Sequence, residues 1–168
     1  MSPRDRHDWT REEVAALWAR PLLDLVFDAA TAHRERWPKR DVQRATLISV
    51  KTGGCAEDCG YCPQAARYAT DVDRQPLLPL QRVQAAAADA KAAGSSRFCM
   101  GGAWRDVPDG PAFESLLEMV REVRALGLEA CLTAGMLRRD QADRLAEAGL
   151  SAYNHNLDTG EGFYDQVI

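Results

Sequence analysis

A unit of helix, glycine and strand occurs three times in succession between Leu80 and Asn156, and it restricts the fold more than any other feature of this chain. In the first copy Leu80, Val83, Ala87 and Ala90 recur at helical spacing, the helix stops at Gly94, and Arg97-Phe98-Cys99-Met100 reads as a strand. In the second, Phe113, Leu116, Leu117, Val120 and Val123 line a helix that ends at Gly127, before the strand-like Glu129-Ala130-Cys131-Leu132-Thr133. In the third, Leu137, Leu145 and Ala146 line a helix that ends at Gly149, before Ala152-Tyr153-Asn154-His155-Asn156. Upstream, Ala45-Thr46-Leu47-Ile48-Ser49-Val50 is a short β-branched run of the kind that makes a buried strand, closed by Gly53 and Gly54.

Strands that alternate with helices predict a parallel sheet, because parallel neighbours need a long right-handed crossover. Such a sheet is either doubly wound or part of a barrel. A closed (β/α)8 barrel needs eight strands and about 250 residues, so a chain of 168 residues with four predicted strands could supply only part of one. In both architectures function gathers at the C-terminal ends of the strands. Cys55, Cys99, Cys131 and the Asn-rich stretch are expected there.

Ahead of the sheet, Thr10-Arg11-Glu12-Glu13 is a capping box that predicts a helix from about Arg11. After Pro21, which suits a first helical turn, Leu22, Leu25, Val26 and Ala29 predict a second helix with one buried face, up to about His33. Residues 1–44 are therefore expected to form an N-terminal helical cap, and residues 45–168 the sheet.

Charge narrows the partners. Lys plus Arg is 21 against 25 for Asp plus Glu, a net charge of −4, which leaves no electrostatic footprint for nucleic acid. No run of about 18 apolar residues could cross a membrane, and the charged opening MSPRDRHDWT lacks the apolar core of a secretory signal. These features predict a soluble, cytoplasmic chain with reduced thiols.

The chemistry is concentrated in Cys55-Ala56-Glu57-Asp58-Cys59-Gly60-Tyr61-Cys62, three thiols in one short loop with spacing C-x3-C-x2-C. Soft thiolates select zinc or iron–sulfur clusters, and three local ligands leave a tetrahedral centre one short. A zinc knuckle would take its fourth ligand from Cys99 or a histidine. The stretch Lys51-Thr52-Gly53-Gly54 lacks the order of a Walker-type phosphate loop. Gly101, Gly102 and Ala103 follow a predicted strand end with residues small enough for backbone to approach a ligand, or simply make a turn. Asn154, Asn156 and Asp158 alternate, so in an extended segment they share one face, with His155 on the other as a packing residue. An Asx-rich turn is the plainer reading of that segment. Cys99 and Cys131, each inside a predicted strand, read by themselves as small buried residues.

With Tyr61 just before the last cysteine, and the loop placed directly after a first strand, the pattern resembles the signature of the radical S-adenosylmethionine superfamily. Further stretches are similar to the biotin synthase family in particular: Leu22-Leu23-Asp24-Leu25, Ser49-Val50-Lys51-Thr52-Gly53-Gly54-Cys55, Glu57-Asp58-Cys59, Tyr61-Cys62-Pro63-Gln64, Arg97-Phe98-Cys99-Met100-Gly101, Leu128-Glu129-Ala130-Cys131 and Tyr153-Asn154-His155-Asn156-Leu157-Asp158-Thr159.

The resemblance implies a (β/α) barrel and insertion of sulfur between two unactivated carbons of dethiobiotin to give biotin. It implies that Cys55, Cys59 and Cys62 hold a 4Fe-4S cluster, whose open iron binds the amino and carboxylate groups of S-adenosylmethionine. The cluster's electron would cleave the sulfonium to methionine and a 5'-deoxyadenosyl radical, chemistry that no side-chain acid or base can supply. By the same resemblance Tyr61 lies against the adenine, and Gly101, Gly102 and Ala103 lie near the methionine part. Asn156 and Asp158 contact the ribose hydroxyls, and Asn154 and Asn156 contact dethiobiotin. Cys99 and Cys131, with a later cysteine and arginine, would bind a 2Fe-2S cluster, the sulfur donor. A flavodoxin-type electron donor and a homodimer complete the implied partners.

Because the sequence stops soon after its fourth predicted strand, about half the barrel is expected here, with the 2Fe-2S site incomplete and open sheet edges prone to aggregate or to assemble with another half. Two alternatives stay open at this level: another radical S-adenosylmethionine enzyme of the same architecture, or a non-catalytic fragment that binds at most one metal centre, such as zinc.

Overall fold

The structure, a computed structural model, describes residues 6–37 and 42–168, and falls into two compact units, Met1–Val42 and Gln43–Ile168. In the first unit, α1 (Arg11–Trp18) starts with the capping box: the Glu13 N–H donates to Thr10 Oγ1 at 3.2 Å, and the Thr10 N–H donates to Glu13 Oε2 at 2.9 Å. Helix α2 (Leu22–Arg36) has Pro21 at its cap rather than in its first turn. The expected buried face is not found. No residue of α1 or α2 is buried, and Leu22, Leu23, Val26 and Phe27 are exposed, because two short helices by themselves cannot enclose a core.

The second unit runs β1 (Ala45–Lys51), α3 (Leu80–Ala92), β2 (Arg97–Gly102), α4 (Pro111–Ala125), β3 (Glu129–Thr133), α5 (Arg139–Glu147), β4 (Ala152–Tyr153) and a short α6 (Tyr164–Val167). All strand pairs are parallel and their order is β1-β2-β3-β4. A doubly wound sheet would reverse its strand order at a switch point, and this one does not. Each crossover helix ends as the sequence predicts, at a glycine in the left-handed region: Gly94 (φ 84°), Gly127 (φ 79°) and Gly149 (φ 95°).

One face of the sheet is covered by α3, α4 and α5. Ile48 and Val50, Phe98 and Met100, and Ala130 and Leu132 point into a core with Val83, Ala87, Phe113, Leu116, Leu117, Val120, Val123 and Leu145. The predicted helix stripes hold, except that Ala146 is exposed and Leu137 precedes α5. The positions facing inward from α5 are Gln141 and Leu145. Gln141 is buried because its amide is fully used: Oε1 accepts from the Arg138 N–H at 3.1 Å, and Nε2 donates to Val107 O at 3.2 Å and Asp109 Oδ1 at 3.1 Å.

The other face carries the odd-numbered residues of β1 to β3. The register aligns Leu47 with Cys99 and Cys131, and Ser49 with Gly101. Strand β1 is therefore buried on one side only, not throughout, with Leu47 72% exposed. One row away, Arg97 and Glu129 are aligned and joined at 2.7 Å, and Gln43 Nε2 donates to Glu129 Oε2 at 2.8 Å.

The contrast between faces is testable by chemical denaturation. Phe98→Ala empties a fully buried position and should cost about 3–5 kcal/mol. Leu47→Ala, on the open face, should cost under about 1 kcal/mol.

Candidate functional site

Between β1 and α3 the chain runs from Thr52 to Pro79 without helix or strand, a length that in a compact unit usually serves function. It turns at Gly53 and Gly54, both at positive φ (69° and 67°). A Cβ on Gly53 would stand 3.1 Å from Asp73 O, so the returning leg of the loop also requires glycine there. The cysteine loop is closed at its base. The Cys55 N–H donates to Gln64 O at 2.9 Å, the Ala66 N–H to Cys55 O at 2.7 Å, and the Gly53 N–H to Gln64 Oε1 at 3.1 Å. Gln64 thus latches the loop through both backbone and side chain. Lys51 ties this loop to the next strand end: its Nζ donates at 2.6 Å to both Gly53 O and Ala103 O, and burial holds its pKa below the ordinary lysine value.

The loop forms one wall of a cleft of about 200 Å³. Cys55, Glu57, Cys59, Tyr61 and Cys62 face it from this side, Gly102, Trp104 and Arg105 from the end of β2 and the turn after it, Thr133, Gly135 and Met136 from the end of β3 and the turn after it, His155, Asn156 and Asp158 from beyond β4, and Tyr164 and Ile168 from the last helix and its end. Four successive strand ends meet at one place, as parallel topology dictates.

Several expected positions shift. Strand β2 continues through Gly102, so only Ala103 follows its end, and of the three small residues only Gly102 lines the cleft. The reason for glycine there is internal: a Cβ would lie 2.2 Å from the Trp104 ring, which folds back over the strand. Strand β4 ends at Tyr153, which leaves Asn154 to Asp158 outside the sheet. Asn154 and Asn156 still share a side, with Asn154 Nδ2 donating to Asn156 Oδ1 at 3.1 Å, but Asn154 itself does not line the cleft. His155 does, and is exposed there, so it is not a packing histidine. Strict alternation breaks at Asp158, which takes φ 65°, a conformation that Asp tolerates better than most residues. Cys99 and Cys131 sit side by side in mid-sheet, below the cleft and not in its lining.

Burial raises one thiol pKa in each group of cysteines. Burial raises the Cys59 pKa above the usual thiol value, and the negative charges of Asp158 and Glu57 add to the rise. Cys99 is pushed up to about 11, first by burial and then by its hydrogen bond with Cys131, with the Arg97 charge opposing. All five cysteines are free. Tyr61 donates its hydroxyl to Asp158 Oδ1 across the cleft, and that bond raises the phenol's pKa above its ordinary value.

Glu57 Oε2 is buried and makes no hydrogen bond. Arg105 Nη1 stands 3.2 Å away as an ion-pair partner, without an N–H aimed at it.

Among the described residues, no three His, Cys, Asp or Glu side chains converge as a single ion would require. A cluster whose irons are spread over a cube needs its thiolates spread around a concavity instead. Cys55, Cys59 and Cys62 all line one cleft. Sequence reasoning did not single out Glu57, Trp104, Arg105, Thr133, Gly135, Met136, Tyr164 or Ile168. The strand-end rule alone could have pointed to Thr133, the last residue of β3. No helix among the described residues is long and apolar enough to cross a membrane.

The chain is similar in sequence to known proteins. The chain is 61% identical over 163 residues to a biotin synthase of Synechococcus elongatus, an alignment that covers 97% of this chain and 51% of that protein. It is 60% identical to a biotin synthase of Myxococcus xanthus (97% and 47%) and 57% identical to one of Flavobacterium psychrophilum (97% and 45%). The chain therefore spans about half the length of these curated relatives. The family model of the radical SAM superfamily matches residues 49–168, a span that holds the cysteine loop, strands β2 to β4 and every wall of the cleft, and the chain belongs to that superfamily.

Proposed function

We propose that this chain is the N-terminal part of a biotin synthase, in which residues 45–168 build the first half of a (β/α) barrel and residues 1–44 an N-terminal helical cap. The observation that carries this reading is the meeting of Cys55, Cys59 and Cys62 with Asn156 and Asp158 at one cleft formed by consecutive strand ends. The likeness to biotin synthases over 97% of the chain supports the assignment of substrate.

On this reading the loop cysteines hold a 4Fe-4S cluster that, together with S-adenosylmethionine, supplies the radical chemistry needed to attack unactivated C–H bonds of dethiobiotin. The chain's own residues bind and position. The three thiols must lose their protons on ligation, and metal binding overcomes the burial that keeps Cys59 protonated. Asp158 offers the ribose hydroxyls the acceptor to which Tyr61 donates in this structure, while the Tyr61 ring is free to cover the adenine. Gly102 and its neighbours Gly101 and Ala103 leave backbone near the methionine part. Asn156 serves both the ribose and dethiobiotin, and Asn154 orients it through the amide-to-amide bond as well as reaching the substrate.

Cys99 and Cys131, adjacent across β2 and β3, give two ligands of a 2Fe-2S cluster whose other ligands lie outside these residues. A flavodoxin-type electron donor, a homodimeric assembly and a cytoplasmic location belong to the same proposal.

Two measurements test it. After anaerobic reconstitution, Cys55→Ala, Cys59→Ala or Cys62→Ala should each abolish the visible absorption and iron content of the loop cluster, together with S-adenosylmethionine binding. Cys99→Ala should leave both in place. Asp158→Asn removes a charged acceptor and should weaken S-adenosylmethionine binding about 10- to 100-fold in equilibrium dialysis, with iron content unchanged.

A further inference from the structure

The far wall of the cleft is held from behind by one hydroxyl. Tyr153 ends β4, pairs with Leu132 of β3, and packs its ring against the helix-side core, beside Leu137, Leu145 and Leu150. Its hydroxyl reaches the end of β3, where it accepts from the Ala134 N–H at 3.1 Å and donates to Gly135 O at 2.5 Å. Burial pushes this phenol up to about 12, so it stays protonated and able to donate.

Gly135 is a position with no slack. It takes φ 91°, and a Cβ there would lie 2.5 Å from Arg105 O. The adjoining backbone is laced to the loop that follows β2: the Met136 N–H donates to Arg105 O at 2.8 Å, and the Val107 N–H to Met136 O at 3.0 Å. Arg105 in turn reaches Glu57 of the cysteine loop. The two turns that form the wall, Trp104–Arg105 and Gly135–Met136, are thus tied to each other, to the cysteine loop through Arg105 and to β4 through Gly135. The residue after Tyr153 begins the segment that carries Asn156 and Asp158.

We infer that Tyr153 is a positioning residue for the cofactor cleft: its hydroxyl sets the wall made by Trp104, Arg105, Gly135 and Met136 against the Asn156–Asp158 segment, without itself touching the bound molecule. The inference rests on the reading of the cleft as the S-adenosylmethionine site. Loss of the hydroxyl leaves the ring in place but takes a partner from the buried Ala134 N–H and from Gly135 O. Both walls survive, but their spacing is no longer held.

Tyr153→Phe in the anaerobically reconstituted protein is the test, with Val123→Ala on α4 as a variant that loosens the core away from the cleft. Tyr153→Phe should weaken S-adenosylmethionine binding about tenfold, raising its KM more than it lowers kcat, with iron content unchanged. It should also speed amide hydrogen exchange at Ala134 and Met136. Val123→Ala should lower the melting temperature yet leave the affinity unchanged. Affinity within twofold of the unsubstituted protein, or equal losses in both variants, would overturn the inference. Exchange at Ala134 and Met136 that does not change would overturn it even if affinity falls. If the unsubstituted, cluster-loaded protein fails to bind S-adenosylmethionine, the functional reading falls instead, and the exchange result alone then decides whether Tyr153 holds the wall.

Discussion

Every parallel strand in the second unit must satisfy its ladder with a neighbour that points the same way, so the chain has to be carried back along a helix after each strand. That single demand places α3, α4 and α5 on one face, leaves the other face open, and delivers the C-terminal ends of β1 to β4 to one edge. Everything chemical in the chain follows from that edge. The cysteine loop leaves β1 there, Trp104 and Arg105 leave β2, Gly135 and Met136 leave β3, and the Asn156–Asp158 segment leaves β4. The core beneath is apolar except for Gln141, whose amide spends its bonding capacity on the loop before α4 and on the start of its own helix. The helix layer and the loop layer are joined where that side chain sits.

The elements legible in the sequence were those decided locally. Gly94, Gly127 and Gly149 each end a helix because a left-handed residue is needed there, a requirement that spacing and residue type reveal without any tertiary knowledge. Strand β3 spans Glu129–Thr133, the stretch expected after the helix-ending Gly127, and the Thr10 capping box forms through contacts three residues apart. The cysteine loop was equally plain, since its three thiols are close in sequence and its position after the first strand follows from topology.

What escaped the sequence was decided at long range. Gly102 is glycine because the ring of Trp104 lies over it, and no periodicity announces that contact. His155 was placed on the wrong side because alternation was extended past Tyr153, where β4 has already ended. The apolar stripe of α2 predicts burial by its spacing alone, yet burial needs a partner, and its own unit offers none. On α5 the expected Leu145 does face inward, but its partner one turn back is the polar Gln141, and Ala146 falls on the exposed side.

Topology puts the two groups of cysteines in different surroundings. Cys99 and Cys131 are set side by side by strand register, and burial raises the pKa of Cys99 as it does that of Cys59 in the loop. The loop cysteines have no such lattice around them; they are held by Gln64, by Lys51 and by the reach of Arg105 to Glu57. On the proposed function, a loop that takes up a bulky inorganic group needs ligands that can adjust, and a closed base that limits how far they do. Lys51 serves the second need, because the two carbonyls it joins belong to the first and second strand ends. The cysteine loop cannot move as a whole without breaking bonds to the strand beside it. Precision at the cleft therefore comes from backbone fixed at strand ends, and adaptability from the short stretch of thiols between those anchors.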